Sequence, residues 1–291
     1  MPLHAPSIAT SMEDSAQAAL DELTAFAERH PRLFVLTGAG CSTDAGIPDY
    51  RDVNGEWKRK APVTYQAFTG DDATRRRYWA RSLLGWPMMS GARPAAAHHA
   101  LARLEEAGRV ELLLTQNVDG LHNLAGSRRT TDLHGRIDTV RCLGCERRSS
   151  RADLQVELRR RNPGWAALEA QPAPDGDADL DGLDFSGFDI PPCPHCGGML
   201  KPDVVFFGEN VPRDRVDATF AALAKADAVL VAGSSLMVYS GFRFVQAAAA
   251  AGKPVAAVNM GRTRADDLFA LKLAAPVGET LATLAERLAP H

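Results

Sequence analysis

Hydrophobic residues in this chain alternate between short, continuous apolar runs and longer segments in which they recur at helical spacing. The apolar runs are rich in β-forming residues, which predicts buried strands at 32–37, 110–115, 227–233 and 254–259. The intervening segments predict helices at 14–30, 95–107, 213–225 and 240–251. Strands that alternate with helices in this way are typical of an α/β fold with a doubly wound parallel sheet.

Two segments interrupt this alternation. Residues 56–90 are basic and aromatic and predict a helical insertion, whereas residues 139–205 hold four of the five cysteines. Within the second segment, 162–192 carries seven acidic residues and no lysine or arginine, which favours a flexible, acidic surface loop. Residues 1–13 are predicted to be a tail.

The composition is that of a globular protein. Of 291 residues, 45% are hydrophobic and 24% are charged, and the net charge is −3. Without an excess of basic residues there is no global field that would attract nucleic acid. No apolar run approaches the ~20 residues needed to cross a bilayer, and the N-terminus lacks the pattern of a secretory signal. We therefore expect a cytoplasmic protein with no membrane partner and no direct nucleic-acid partner.

Four of the five cysteines form two CxxC pairs, separated by 47 residues: Cys142 and Cys145, then Cys193 and Cys196. Four thiolates at this spacing match a tetrahedral structural zinc site that leaves no coordination position open for substrate. His195 is an alternative ligand. A thioredoxin-like redox pair is disfavoured, because that chemistry needs one CxxC rather than two. We expect one structural zinc ion.

A glycine-rich segment, GAGCSTDAGIPDYR (38–51), follows the first predicted strand. Glycines at such a turn let backbone N–H groups approach a phosphate closely. The third glycine of the dinucleotide fingerprint would fall on Thr43, and no Gly-Lys-Ser/Thr follows, so neither that motif nor a P-loop is present. The residues alone predict a phosphate-binding loop of unspecified type. Asp49 and Arg51 could form a salt bridge that stabilises this turn.

Several motifs occur together in a characteristic order: GAGCSTDAGIPDYR (38–51), TQNVDGLH (115–122), LHG (133–135), the cysteine quartet, KPDVVFFGE (201–209), GSSLMVYSG (233–241) and VNMG (258–261). With this set the chain resembles the sirtuins, NAD-dependent protein-lysine deacylases, over about residues 30–280. The details GIPDYR and RRRYWARSLLGWP resemble class II, and within it the branch of the mitochondrial lipoamidase and ADP-ribosyltransferase-like sirtuins.

The resemblance implies an inverted Rossmann-like domain made of 14–55, 91–138 and 206–291. It also implies a small lobe, in which 56–90 is a helical module and 139–205 is the zinc module. NAD, as co-substrate, and the protein substrate would meet in the cleft between them. The residues implied to contact NAD are Gly38, Ala39, Gly40, Thr43, Asp49, Tyr50, Arg51, Gln116, Asn117, Val118, Asp119, Gly233, Ser234, Ser235, Asn259, Met260, Gly261 and Val277.

For catalysis, the resemblance implies that His134 is the base and that Asn117 and Asp119 act on the nicotinamide side. The acyl oxygen would attack the ribose as nicotinamide leaves, and the base would then activate a ribose hydroxyl. The products would be free lysine, nicotinamide and O-acyl-ADP-ribose. Two departures from the family pattern lie near these residues: Asp132 replaces a glutamate, and Tyr239-Ser240 replaces a proline that is common after that segment.

An acyl-lysine protein or peptide is the implied partner, and we expect a monomer. The peptide would add as a strand between 204–208 and 236–240, with contacts from Val205, Phe206, Phe207 and Gly208. Tyr78 and Arg81 stand three residues apart on a predicted helix and resemble a reader of acidic acyl groups. The alternative for Arg81 is a basic, solvated helix face.

Two other functions stay open. One is a protein mono-ADP-ribosyltransferase that uses the same site. The other, from a different class, is a zinc-knuckle module on a nucleotide-sensing scaffold, which the acidic net charge disfavours. A dehydrogenase is disfavoured by the broken dinucleotide fingerprint.

Overall fold

The computed structural model describes residues 8–58, 62–168, 180 and 182–290. Strands in these residues are β1 (Leu33–Thr37), β2 (Val110–Thr115), β3 (Thr130–Asp132), β4 (Gly135–Cys142), β5 (Arg148–Ser150), β6 (Leu200–Val204), β7 (Ala228–Ala232), β8 (Val255–Val258) and β9 (Leu271–Leu273). The α-helices are α1 (Ile8–Arg29), α2 (Tyr65–Gly70), α3 (Asp72–Gly91), α4 (Ala96–Glu106), α5 (Leu121–Leu124), α6 (Arg151–Arg161), α7 (Pro163–Ala166), α8 (Arg213–Lys225), α9 (Tyr239–Ala250) and α10 (Val277–Leu288).

The larger of two sheets contains the four predicted strands. Its order is β3-β2-β1-β7-β8-β9, and all of its pairings are parallel. Thr37 at the end of β1 is in register with Thr115 of β2 and Ala232 of β7, so the carboxyl ends of the central strands form one edge. The predicted doubly wound parallel sheet is confirmed. β3 and β9, three residues each, were not predicted because neither is an apolar run.

Side chains of β1 pack alternately against two helical layers. Leu33 and Val35 face a core with α1, α4 and α10, whereas Phe34 and Leu36 face a second core with α8 and α9. Burial on both faces explains why the central strands are continuous apolar runs. The first helix begins at Ile8, so the prediction that the tail extends to residue 13 is wrong for 8–13.

A second sheet, antiparallel and of order β5-β4-β6, lies with α2, α3 and α6 around a separate core. Of the predicted acidic loop 162–192, residues 169–179 and 181 lie outside the described residues. Most described residues at the ends of the loop are exposed, but a few anchor it: Phe188 is fully buried and lies against Trp165. Asn162 exchanges two hydrogen bonds with the backbone of Asp189, of 2.7 and 2.8 Å. Among the described helices, none is long and apolar enough to span a bilayer.

Candidate active site

A cavity of about 860 Å³ opens at the carboxyl edge of the large sheet. The loops that follow β1, β2, β7 and β8 line one side of it, and residues of α3 and β6 line the other. Ligands of open α/β sheets bind at this edge because the loops there diverge to opposite faces. The position alone therefore favours a binding site for a small molecule.

Three glycines bring the loops after β1 and β7 into direct contact. A Cβ on Gly38 would lie 2.8 Å from the Gly233 carbonyl oxygen, and a Cβ on Gly40 would lie 2.9 Å from the Gly233 Cα. Gly233 itself has φ +61°, which a side chain disfavours. Both loops line the cavity, so the glycines leave backbone, not side chains, at this wall.

Ser42 joins two polar residues of the loop after β2. Its hydroxyl donates to Asp119 Oδ2 at 2.8 Å and accepts a hydrogen bond from Asn117 Nδ2 at 3.0 Å. Asn117 Nδ2 also donates to the Gly38 carbonyl, and Asp119 Oδ1 accepts the Leu121 N–H. These bonds fix the Asn117 amide and the Asp119 carboxylate at the cavity wall. Ser42, which was not among the predicted site residues, is buried between them.

His98, a buried histidine for which the sequence indicates no role, lies behind Ser42. His98 Nδ1 accepts the Ala95 N–H, so Nε2 carries the proton and donates to Ser42 Oγ at 3.3 Å. Burial lowers the pKa of His98, which favours this neutral form. Because His98 Nε2 donates to Ser42 Oγ, the Ser42 hydroxyl proton can point only towards its acceptor, Asp119 Oδ2. His98 thereby holds the Ser42–Asp119 bond in place.

His134 lies at the cavity wall with a partner on each ring nitrogen. Its Nδ1 is 2.9 Å from the Gln116 carbonyl oxygen, and its Nε2 is 2.7 Å from Ser240 Oγ. A carbonyl oxygen only accepts, so Nδ1 carries the proton and Nε2 of the neutral ring has the free electron pair. Burial, joined by the cations Arg215 and Arg243, lowers the pKa of His134 to about 4. The ring is therefore a neutral base whose basic atom is Nε2.

The segment after β6 forms the opposite wall and is fixed by an ion pair between a buried lysine and a half-buried glutamate. Lys201 Nζ lies 3.0 Å from Glu209 Oε2, which also accepts the Phe206 N–H at 2.9 Å. Val205 N–H donates to the His134 carbonyl at 2.7 Å. The wall and the base are thus connected through the backbone. Phe206 contacts Tyr78, with ring centroids 5.4 Å apart. These two rings form the aromatic floor of the cavity.

Away from the cavity, the four cysteines of the two CxxC pairs converge. All four Sγ atoms lie within 4.8 Å of one another, with 3.5 Å from Cys142 to Cys196 and 3.8 Å from Cys145 to Cys193. A zinc tetrahedron with Zn–S bonds of 2.3 Å has edges of about 3.8 Å. These residues are placed to bind zinc.

Comparison with known proteins agrees with this geometry. Residues 38–240 match the model of the Sir2 family. The chain belongs to the Sir2 family. An NAD-dependent protein deacetylase of Xanthomonas campestris pv. campestris strain 8004 is 67% identical over 262 residues, which cover 90% of this chain and 89% of that protein.

Two further relatives are informative about this sirtuin. An NAD-dependent protein deacetylase of Bordetella bronchiseptica is 62% identical over 269 residues, covering 92% of this chain and 98% of the relative. A solved structure described as Sir2 with a p53 peptide and NAD+ superposes with a TM-score of 0.74 at 29% identity, covering 92% of this chain and 98% of that one.

The structure brings together nearly all the residues that the sequence singled out. Every residue predicted to contact NAD lines the cavity, as do His134, Tyr78 and the segment from Val205 to Gly208. Arg81 is not among the lining residues, so the structure does not unite the Tyr78–Arg81 pair at the site.

The loop 47–58 of this sirtuin also corrects an expectation. Asp49 pairs with Lys58, not with Arg51. The Arg51 guanidinium donates to the Gly55 carbonyl at 2.7 Å and stacks over Trp57, 3.9 Å from the ring centroid. The turn is therefore stabilised by two separate contacts, and Trp57 continues the aromatic wall through Phe207.

We expect the substitution Gly38→Ala to raise KM for NAD about tenfold or more while the protein stays folded. The new Cβ would lie 2.8 Å from Gly233 O, so the two loops that line the cavity must separate. Steady-state kinetics and the melting temperature check this. Gly91→Ala is the matched control, because nothing lies within 4 Å of its added Cβ. Equal effects of the two substitutions would contradict the close approach.

Proposed function

We propose that this sirtuin is an NAD-dependent protein deacetylase, which converts an acetyl-lysine protein, NAD and one water molecule into the free lysine, nicotinamide and O-acetyl-ADP-ribose. The observation that carries the proposal is the position of His134. A neutral base with its free electron pair on Nε2 lies in the same cavity as a backbone-walled, glycine-rich loop. High identity to two proteins named as NAD-dependent protein deacetylases supports it.

The wall of the cavity fits a dinucleotide at three places. Close packing of Gly38, Gly40 and Gly233 keeps their stretch of the wall free of large side chains, and the pyrophosphate is proposed to lie against this backbone. The Asn117 amide and the Asp119 carboxylate, held by Ser42, are matched to a carboxamide and ribose hydroxyls. At the far end, Asn259 donates to the Gly261 carbonyl at 2.9 Å, which orders the loop proposed to contact the second ribose. NAD supplies the electrophilic ribose carbon and the leaving nicotinamide.

Residues of this chain then have separable tasks. Asn117 and Asp119 orient the nicotinamide end, which is proposed to matter for departure of the leaving group. His134 takes a proton at Nε2 from a ribose hydroxyl, which a neutral ring can do near pH 7. The aromatic floor of Tyr78 and Phe206 excludes water from the acyl-lysine.

The peptide is proposed to bind as an added strand between 204–208 and 236–240, both of which line the cavity. Lys201 and Glu209 hold the first of these segments in place. Its recognition would depend mainly on backbone hydrogen bonds, with Val205, Phe206, Phe207 and Gly208 as the contact residues. The acidic-acyl role of Arg81 has no support from the cavity lining.

The proposal is tested by mass spectrometry of the protein incubated with NAD and peptides that carry acetyl-, propionyl-, succinyl- or lipoyl-lysine. We expect nicotinamide, O-acetyl-ADP-ribose and deacetylated peptide in equal amounts with the acetyl peptide. If no peptide causes release of nicotinamide, the proposed NAD-dependent enzyme function is rejected. Preference for lipoyl-lysine would support the finer assignment to class II and the lipoamidase-like branch, which stays a prediction.

The same experiment separates the remaining alternatives. A mono-ADP-ribosyltransferase would leave labelled protein without deacylated peptide, and a zinc-knuckle module would bind NAD without consuming it. Monomeric state, a cytoplasmic location and independence from nucleic acid stay predictions from the sequence.

A further inference from the structure

Ser240 contacts the catalytic base at its reactive atom. Its hydroxyl oxygen lies 2.7 Å from His134 Nε2, the nitrogen that carries the free electron pair. Because Nδ1 donates to the Gln116 carbonyl, Nε2 of the neutral ring can only accept, so the Ser240 O–H donates to it. The two bonds hold the imidazole from opposite edges and fix both its orientation and its tautomer.

The fold determines where this hydroxyl lies. Ser240 is in the first turn of α9, and the next residue is Gly241, whose Cβ, if it had one, would lie 2.6 Å from Gln116 Oε1. The absence of a side chain at Gly241 therefore lets α9 approach the loop that carries Gln116. Arg243 Nε donates to the Ser240 carbonyl at 3.1 Å, which fixes the turn from the other side. The position of Ser240 thus follows from the packing of α9.

We propose that Ser240 is a positioning residue for His134, a role that rests on the proposed deacetylase function. The proline that the family pattern has in this segment carries no hydroxyl, so this hydrogen bond depends on the serine of this chain. In the protein without substrate the Ser240 hydroxyl occupies the Nε2 electron pair and so holds Nε2 at the cavity wall, and a ribose hydroxyl takes its place on Nε2 when the substrates bind. Because a hydroxyl both donates and accepts, it can also turn to accept from Nε2 once the ring is protonated.

The charged groups around His134 do not perform this task. Arg215 of α8 donates to the Leu133 carbonyl at 3.0 Å, and Arg243 uses its Nε on the Ser240 carbonyl. Both cations oppose protonation of the ring without contacting Nε2. Among the described residues, Ser240 is the side chain that is hydrogen-bonded to His134 Nε2.

The test compares Ser240→Ala with Ser240→Thr, which keeps the hydroxyl, and with Ser90→Ala, an exposed serine of α3, as control. We expect Ser240→Ala to lower kcat for deacetylation about tenfold with KM for NAD little changed. Exchange of labelled nicotinamide into NAD should stay at the wild-type rate, because that exchange precedes the step that uses the base. Ser240→Thr should recover most of the activity.

A second readout does not depend on turnover. In the protein without NAD, the nitrogen NMR signal of His134 Nε2, assigned by its loss in His134→Gln, should shift in Ser240→Ala towards an unbonded imidazole nitrogen. An unshifted Nε2 signal, unchanged deacetylation, or an equal fall in exchange and deacetylation would each overturn the proposal. If the wild-type protein releases no nicotinamide, the deacetylase function fails instead, while the NMR shift still decides the Ser240 contact.

Discussion

Replacement of His134 by glutamine is expected to lower kcat for deacetylation by about 10²–10⁴, the range that a positioned general base contributes. Glutamine can still donate to the Gln116 carbonyl, which His134 Nδ1 does at 2.9 Å. Its side chain cannot take up a proton near neutral pH, so the ribose hydroxyl would stay unactivated. The measurement is steady-state formation of O-acetyl-ADP-ribose beside the rate of nicotinamide exchange.

Exchange should survive in His134→Gln, because the nicotinamide leaves before the base is needed and Asn117 and Asp119 are unaltered. His99→Gln is the matched control, since His99 is an exposed histidine of α4 and should show wild-type rates in both assays. Loss of exchange together with deacetylation would mean that His134 supports binding, not proton transfer.

The same geometry sets the expected pH dependence. Burial lowers the pKa of His134 to about 4, well below the ordinary histidine value. The neutral, active form therefore predominates above that pH, and the charged, inactive form below it. We expect kcat to be level from about pH 6 to 8 and to fall only as the pH approaches the lowered pKa. If kcat instead falls with a midpoint near the ordinary histidine pKa of about 6.5, the bound substrates restore the pKa of His134 to that ordinary value.

The large sheet could be predicted because its central strands are buried on both faces. Runs such as LFVLT leave little other interpretation, and a predicted helix precedes each of the four runs. β3 escaped prediction because Thr130, Thr131 and Asp132 are polar and pair on one side only. An edge strand of three residues has no periodicity to detect, so its place depends on the neighbouring strand.

In the candidate site, too, some residues could be predicted from the sequence and others could not. Asn117, Asp119 and His134 were found through short motifs, yet the residues that hold them came only from the structure. Ser42 bonds residues 75 and 77 positions away, and Ser240 meets His134 across 106 positions. Nothing in the local pattern of either serine signals such a contact. The available signal was that Ser42 and Ser240 each lie within one of the motifs that resemble the family.

Single side-chain pairings were the weakest predictions. Asp49 and Arg51 are two residues apart and of opposite charge, but the chain between them turns so that Lys58 meets Asp49 and Trp57 meets Arg51. Arg81, three residues after Tyr78 on α3, does not line the cavity that Tyr78 lines, and its proposed role stays a prediction. Charge and spacing allow many partners on a surface, where an ion pair contributes little free energy. Packing decides among them.

The zinc module should be the part of the fold most sensitive to a single substitution. Cys142 and Cys193 are buried in the core of the small sheet, beside Val140 and Leu200. Zinc binding by small metal modules contributes roughly 10–16 kcal/mol at neutral pH, comparable to the ~5–15 kcal/mol that stabilises a whole domain. The small core cannot replace a contribution of that size. Removal of one thiolate is therefore expected to release the metal and unfold this lobe.

The loss should reach the active site through β4. This strand runs from Gly135, next to the proposed base His134, to Cys142 of the cysteine cluster, and it pairs with β6 at both ends. β6 in turn leads into Val205, whose N–H bonds the His134 carbonyl. Disorder that begins at the cysteines therefore removes one wall of the cavity, and we expect deacetylation to become undetectable although zinc contacts no substrate.

The experiment uses Cys145→Ser and Cys196→Ser, the second because Cys196 is exposed and contributes little packing. Elemental analysis should fall from about one zinc per chain to none, and limited proteolysis should cleave within 139–205 while the large sheet resists. Cys41→Ala is the control, since that buried thiol donates to the Ala232 carbonyl, away from the quartet, and should leave the zinc content unchanged. A zinc-free variant that keeps a protease-resistant small lobe and full activity would refute the structural role, because the four thiolates would then not be what holds β4 against β6.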